Sequence, residues 1–167
     1  PETLAARLGP RTRGVVWVHL TGVVSPDFEA IGAFCGANGL FLIEDAAHAH
    51  GARFGHRAAG GFGDAGVFSF YPTKLMTTGA GGMLTTDDPD LARFARQLRM
   101  FGKEEETGEI VALGNDWFLD EIRAAIAFHQ IRALPDQLAR RRAIARTYRD
   151  RLANQPGLRL LDPPPES

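Results

Sequence analysis

Cysteine is almost missing from this chain of 167 residues: Cys35 stands alone. A single thiol closes no internal disulfide and builds no cysteine-based zinc cluster. A reducing cytoplasm is the setting that fits it best. Long hydrophobic runs are missing as well. No apolar stretch approaches the roughly 20 residues of a membrane span. The opening Pro1-Glu2-Thr3-Leu4-Ala5-Ala6-Arg7 has no apolar core of the kind a signal peptide needs. Nor is there an excess of one charge. With 19 basic and 20 acidic residues the formal net charge is −1, which makes no electrostatic case for nucleic acid or a membrane surface. There is no internal repeat, and no low-complexity segment beyond the prolines near position 164. The first residue is not methionine, and the last residues are proline-rich, so the chain is expected to be a fragment of a longer protein.

What is present suits a soluble domain with a real core: 44% hydrophobic and 23% charged residues. Gly14 to Leu20 is rich in β-branched and aromatic residues and predicts a buried strand. Ser25 and Pro26 then give a cap and first position for a helix, with Phe28, Ile31, Phe34 and Cys35 on one face. Asn38-Gly39 ends it, and Leu40 to Ile43 predicts the next strand. Strand, helix, strand implies a right-handed crossover and a parallel sheet covered on both faces. Residues 53–64 predict a loop or short hairpin. Gly66–Phe70 and Gly82–Thr86 predict two more strands. Asp87 or Asp88 with Pro89 opens a helix whose stripe is Leu91, Phe94, Ala95, Leu98 and Phe101. Lys103–Gly108 is charged and predicts a mobile stretch. A well-buried helix is expected over 119–131, broken by Pro135. A second is expected over 136–153, burying Leu138, Ala145, Tyr148 and Leu152, with arginines on its other face.

Lys74 carries the sharpest chemical signal. It follows the apolar run Val67–Phe70 and a proline turn, and it precedes the glycine-rich Gly79-Ala80-Gly81-Gly82, where backbone can pass close to a ligand. Asp45 closes the other apolar run, at the strand end where parallel sheets carry ligands. An amine and a carboxylate so placed are what a pyridoxal phosphate (PLP) enzyme needs: the amine forms the Schiff base and the carboxylate pairs with the pyridinium nitrogen. Burial and a nearby cationic ring would favour the free amine. Asp45 as a ribose-binding carboxylate would need a G-x-G-x-x-G upstream, and none is there. His48 and His50 are as compatible with packing as with catalysis. Asp45-x-x-His48-x-His50 is too loose for a metal site, so no metal is expected. Ser69 is either an ordinary strand residue or a phosphate ligand beside the turn. His19 ends the first strand with no role fixed by its spacing. The arginines at 140–151 are most simply a solvated helix face, with a substrate diphosphate as the alternative.

These segments together resemble the DegT/StrS family of PLP-dependent sugar aminotransferases, within fold-type I. The likeness is carried by Val18-His19-Leu20-Thr21-Gly22, Glu44-Asp45-Ala46-Ala47-His48-Ala49-His50-Gly51-Ala52, Gly63-Asp64, Phe68 to Lys74, Thr78 to Gly82 and Gly114 to Ala125. The resemblance implies an α/β fold, namely part of a fold-type I large domain with a mostly parallel sheet flanked by helices. It places that domain at 1–134 and the start of a small carboxy-terminal domain at 135–167. It implies Lys74 as the Schiff-base and catalytic lysine and Asp45 as the pyridinium partner. Ala47 would lie on the ring face, His48 near the ring hydroxyl and Ser69 on the phosphate. Related sugar dehydratases have histidine where this chain keeps Lys74, which favours transamination. The implied partners are an amino-acid donor, glutamate, and a nucleotide-linked ketosugar, on a cytoplasmic homodimer. A PLP lyase or dehydratase, and a non-catalytic regulatory relative or fragment, are the alternatives.

Two positions depart from the family pattern. Asp116 stands where the family has an asparagine that reaches the partner subunit's phosphate, and an aspartate there would repel it. Phe118 stands where the family often has arginine. The family's phosphate-binding helix start and stacking aromatic lie outside this sequence. Poor PLP retention and a tendency to associate are therefore expected of the chain alone.

Overall fold

The computed structural model describes residues 2–161, so the proline-rich end at 162–167 lies outside the described residues. A short helix α1 (Glu2–Ala5) precedes strand β1 (Gly14–Val18), helix α2 (Phe28–Ala37) and strand β2 (Phe41–Asp45). β1 and β2 pair in parallel, with Gly14 opposite Phe41 and Val18 opposite Asp45. α2 begins later than its sequence suggests. Ser25 forms a turn ahead of the helix: its Oγ accepts the Asp27 N–H at 3.2 Å and its carbonyl accepts the Phe28 N–H at 3.2 Å. Gly39 ends the helix at φ +61°, the left-handed geometry that glycine adopts without strain.

α2 covers one face of the sheet. Phe28, Ile31 and Cys35 pack with Leu42, and Val15 and Trp17 lean on the same cluster. Fully burying each large side chain there contributes about 1.5–3 kcal/mol. A second cluster of Val24, Ala46, Ala49 and Ala59 lies beside it. The expectation of two covered faces is not met. Val16, Val18 and Val67 are 62%, 48% and 42% exposed on the other face.

Residues 53–58 form a hairpin of β3 (Arg53–Phe54) and β4 (Arg57–Ala58). β5 (Ala65–Ser69) pairs in parallel with β2, and β6 (Gly82–Thr85) pairs antiparallel with β5. The sheet order is β1-β2-β5-β6, mostly parallel with one antiparallel edge. The chain entering β5 is fastened to β2 along its side. The Asp64 N–H donates to the Leu42 carbonyl at 2.8 Å, and Asp64 Oδ2 accepts the Leu42 N–H at 2.7 Å.

Helix α3 (Pro89–Arg99) is capped by Asp88, whose Oδ1 accepts the N–H groups of Asp90 at 2.8 Å and Leu91 at 3.2 Å. Residues 103–110 close into a turn in which the Glu104 N–H donates to the Glu109 carbonyl at 2.9 Å. The last element overturns two expectations. Helix α4 (Glu121–Leu152) runs unbroken through Pro135, and none of its residues is buried. A proline removes one helical hydrogen bond and crowds the preceding turn, which either breaks a helix or only bends it. The flanking alanine, leucine, glutamine and arginine residues are all strong helix formers. Leu138 and Leu152 are half-buried, whereas Ala145 and Tyr148 are exposed. The Gln130 amide fixes α4 to the turn after Lys74: Oε1 accepts the Thr77 N–H at 2.9 Å and Nε2 donates to the Thr77 carbonyl at 2.8 Å.

Gly63 sits where any Cβ would lie 2.4 Å from the Leu42 carbonyl oxygen, a backbone atom that cannot turn aside. Gly63→Ala is therefore expected to lower stability by about 1–3 kcal/mol, read as a lower urea midpoint at unchanged slope.

Candidate active site

Three strand ends meet at the carboxyl edge of the sheet. His19 follows β1, Asp45 closes β2 and Ser69 closes β5. The Asp45 carbonyl accepts the His19 N–H at 3.0 Å. Asp45 Oδ1 accepts the Ala47 N–H at 3.0 Å, which turns the chain sharply after the strand. A carboxylate has acceptor capacity beyond that one bond.

A cavity of about 230 Å³ opens beside this edge, lined by Thr21, Ala47, His48, His50, Thr73 and Lys74 among others. Three sequence-predicted residues, Lys74, Ala47 and His48, thus share one space. Asp45 and Ser69 are not in that lining. Asp45 reaches it through its bond to Ala47, and Ser69 Oγ accepts the Tyr71 N–H at 3.3 Å, at the start of the turn that carries Lys74. That turn is closed by the Lys74 N–H donating to the Tyr71 carbonyl at 3.0 Å. Lys74 itself is half-buried. Asp116 and Phe118 lie apart, before α4. Asp116 is exposed and forms an isolated bridge with Met100, and Phe118 lies under the Arg99 guanidinium.

His50 is 5% exposed. Burial holds its imidazole below the ordinary value against a hydrogen bond to the Ser69 backbone, and the charges of Lys74 and His48 push the same way as burial. Its Nε2 is buried with no partner among the described residues. His50 also belongs to the cavity lining, with that nitrogen on its buried side.

Two features went unread in the sequence. Thr21 adopts φ +59°, an uncommon conformation for a β-branched residue, and it sits in the cavity wall. Glu44 is the other. It is fully buried, and its two oxygens accept from the N–H groups of Phe62 at 2.5 Å, Gly63 at 2.7 Å and Gly60 at 2.7 Å, with His19 Nε2 at 2.9 Å. Burial acts to raise its pKa. The bonds from His19 and from the Gly63, Gly60 and Phe62 amides outweigh that and hold it below the ordinary carboxyl value. Strand alternation was the available signal: with Asp45 on one face, its neighbour Glu44 must enter the other, where Leu42 is buried.

A mostly parallel α/β sheet of this kind, flanked by helices, is part of the fold-type I architecture of PLP enzymes. The chain belongs to the DegT/DnrJ/EryC1/StrS aminotransferase family, which matches residues 1–167. It is 41% identical over 154 residues to a dTDP-3-amino-3,4,6-trideoxy-alpha-D-glucose transaminase from Micromonospora megalomicea, covering 92% of this chain and 41% of the relative. The crystal structure of the aminotransferase TlmJ from Streptoalloteichus hindustanus superposes with a TM-score of 0.90 at 39% identity, over 99% of this chain and 45% of that one. An Escherichia coli GDP-4-keto-6-deoxy-D-mannose-3-dehydratase with bound hydrated PLP superposes with a TM-score of 0.87 at 27% identity, over 99% of this chain and 47% of that one. The chain thus spans less than half the length of each of these relatives.

The depressed Glu44 pKa carries a sign. A carboxyl whose folded value lies below its ordinary 4.5 stabilises the fold fully above that value and loses the contribution as pH falls through the folded value. Glu44→Gln turns an amide NH₂ toward backbone donors at any pH. The stability gap between the unaltered protein and Glu44→Gln, measured by urea unfolding, should stay constant above about pH 6 and narrow below about pH 4.5.

Proposed function

We propose that this chain is the lysine-bearing part of a PLP-dependent aminotransferase that moves an amino group from an amino acid, glutamate, to the keto group of a nucleotide-linked sugar. The observation that carries this reading is that Lys74 lines one cavity with Ala47 and His48, two and three residues after Asp45, in a chain of this family. The relatives named as a dTDP-sugar transaminase and an aminotransferase support the substrate class and the reaction.

The residues present fit the ring end of PLP. There is an amine at Lys74, a carboxylate at Asp45 held by the Ala47 amide, and a small side chain at Ala47 in the cavity lining. When bound, the cofactor supplies an electron sink for the charge released at the substrate carbon. Lys74 Nζ would hold the cofactor and, once released, take up or deliver the proton at that carbon. Asp45 would keep a proton on the ring nitrogen through an ion-paired hydrogen bond. Ala47 would set the height of the ring, His48 would approach its hydroxyl and Ser69 Oγ would bind phosphate. Metal plays no part in this reading.

The dehydratase relative favours a second reading, elimination on the same scaffold. Lys74 supports transamination over it. The homodimer, the cytoplasmic setting, a domain division at 134/135 and weak cofactor retention by the chain alone belong to this proposal. The division would fall at a point along the continuous α4. Among the described residues no helix is long and apolar enough to cross a membrane.

Borohydride reduction and peptide mapping of the protein as its gene encodes it should place PLP on Lys74, and Lys74→Ala should abolish both the attachment and turnover. Glutamate alone should convert the bound cofactor to its amine form. Attachment at another side chain, or no conversion with any amino acid, would overturn the reading.

A further inference from the structure

We propose that Glu44 and His19 are positioning residues that aim the Asp45 carboxylate, acting as a buried brace on the back of the strand that carries it. The inference rests on the function proposed above for Asp45. Neither side chain of the pair has any exposure. Every acceptor direction of Glu44 is engaged: Oε1 by Phe62 and Gly63, Oε2 by Gly60 and His19. A buried ionised group is a poor way to gain stability, since well-packed apolar residues of similar volume often do as well or better. Four directional bonds to one carboxylate instead leave that side chain, and the peptide after it, a single orientation.

That peptide is the one joining Glu44 to Asp45. His19, the residue that follows β1, grips both residues. Its ring meets Glu44 Oε2 at 2.9 Å and its backbone N–H donates to the Asp45 carbonyl at 3.0 Å. Side chains alternate along β2, so Glu44 points into the covered face and Asp45 to the opposite one. The same histidine reaches the cavity wall, because its carbonyl accepts the Gly22 N–H at 3.0 Å and so closes the turn that holds Thr21. Phe28 packs on the His19 ring at 5.3 Å between centroids and keeps it in place. Fixing residues 19, 44 and 60–63 to one another thus sets both Asp45 and the Thr21 edge of the Lys74 cavity.

The test compares Glu44→Gln, His19→Leu and His19→Gln with the unaltered protein as its gene encodes it, loaded with PLP. His19→Leu removes the donor to Glu44. His19→Gln keeps an N–H donor without the imidazole. Three readouts are taken: PLP affinity by absorbance titration, kcat and KM separately, and hydrogen exchange at the Ala47 amide, which is protected through Asp45 Oδ1. His19→Leu and Glu44→Gln should lower kcat by about 100-fold with KM little changed, the scale of a misaimed catalytic group. They should also weaken PLP binding and speed Ala47 exchange by about tenfold, while the thermal transition stays cooperative. His19→Gln should stay within about threefold on all three readouts. Unchanged kcat and unchanged Ala47 exchange in a folded His19→Leu protein would overturn the brace, as would His19→Gln failing as badly as His19→Leu. Should Glu44→Gln not fold, the two His19 variants decide. Should the unaltered protein bind no PLP, the function proposed for Asp45 fails, and exchange at Ala47 still judges the brace.

Discussion

The arrangement of the sheet edge depends on one buried carboxylate. Taking the Glu44 charge out of water costs several kcal/mol unless donors replace the lost hydration. Those donors come from three separate places: the end of β1 at His19, and the Gly60 and Phe62–Gly63 amides of the segment leading into β5. Each must be in place for the charge to be tolerated, so β1, β2 and the 60–63 segment are correct together or not at all. Small residues are what let the segment approach. A Cβ at Gly63 would meet the Leu42 carbonyl and one at Gly60 would meet the Phe68 ring. The Arg57 guanidinium over the Phe62 ring closes the segment from outside, 5.0 Å from the ring centroid.

Much of this was legible in the chain, and the failures have physical causes. The β-branched run at 14–18, the apolar stripe of α2, Gly39 and the run before Asp45 each state one local preference, and the elements form where those preferences put them, although β1, expected to be buried, has no buried residue. Lys74 and Asp45 were legible because each sits at the end of an apolar run. Pro135 signals a break by its own local penalty, and the helix formers on both sides carry α4 through it. Alternation along β2 signals that Glu44 is buried, but not what it binds. Its role lies in partners 25 residues upstream and 16 to 19 residues downstream, and no window around position 44 contains them. The Gln130–Thr77 bond, 53 residues apart, escaped in the same way.

The sheet face that carries Asp45 is also the open one. Val18, Asp45 and Val67 are partners across β1, β2 and β5, and partnered side chains share a face. Val18 and Val67 are 48% and 42% exposed there. Apolar side chains beside the carboxylate proposed for the ring nitrogen suit a surface that is covered in use, because excluding water strengthens every charge interaction within it. α4 has the same character, with Ile122, Phe128 and Ile131 at 76%, 58% and 55% exposed on a helix anchored at Gln130. The chain covers 41% to 47% of the three relatives described above, which leaves ample further chain in those proteins to cover such surfaces.

The two principal residues are held in different ways, and the difference fits the work proposed for them. Asp45 lies within a strand, its carbonyl tied to β1, its side chain tied to Ala47 and its neighbour Glu44 tied by four bonds. A group that must hold a ring at one angle gains from such rigidity. Lys74 lies on a turn, closed by one backbone bond to Tyr71 and steadied from behind by Gln130 at Thr77. Its long side chain has rotatable bonds and an open cavity in front of it. A group that must first hold a cofactor and then carry a proton between two atoms has to swing between them. A fixed acid on a strand and a free amine on a turn are therefore two mechanical solutions built on one sheet edge.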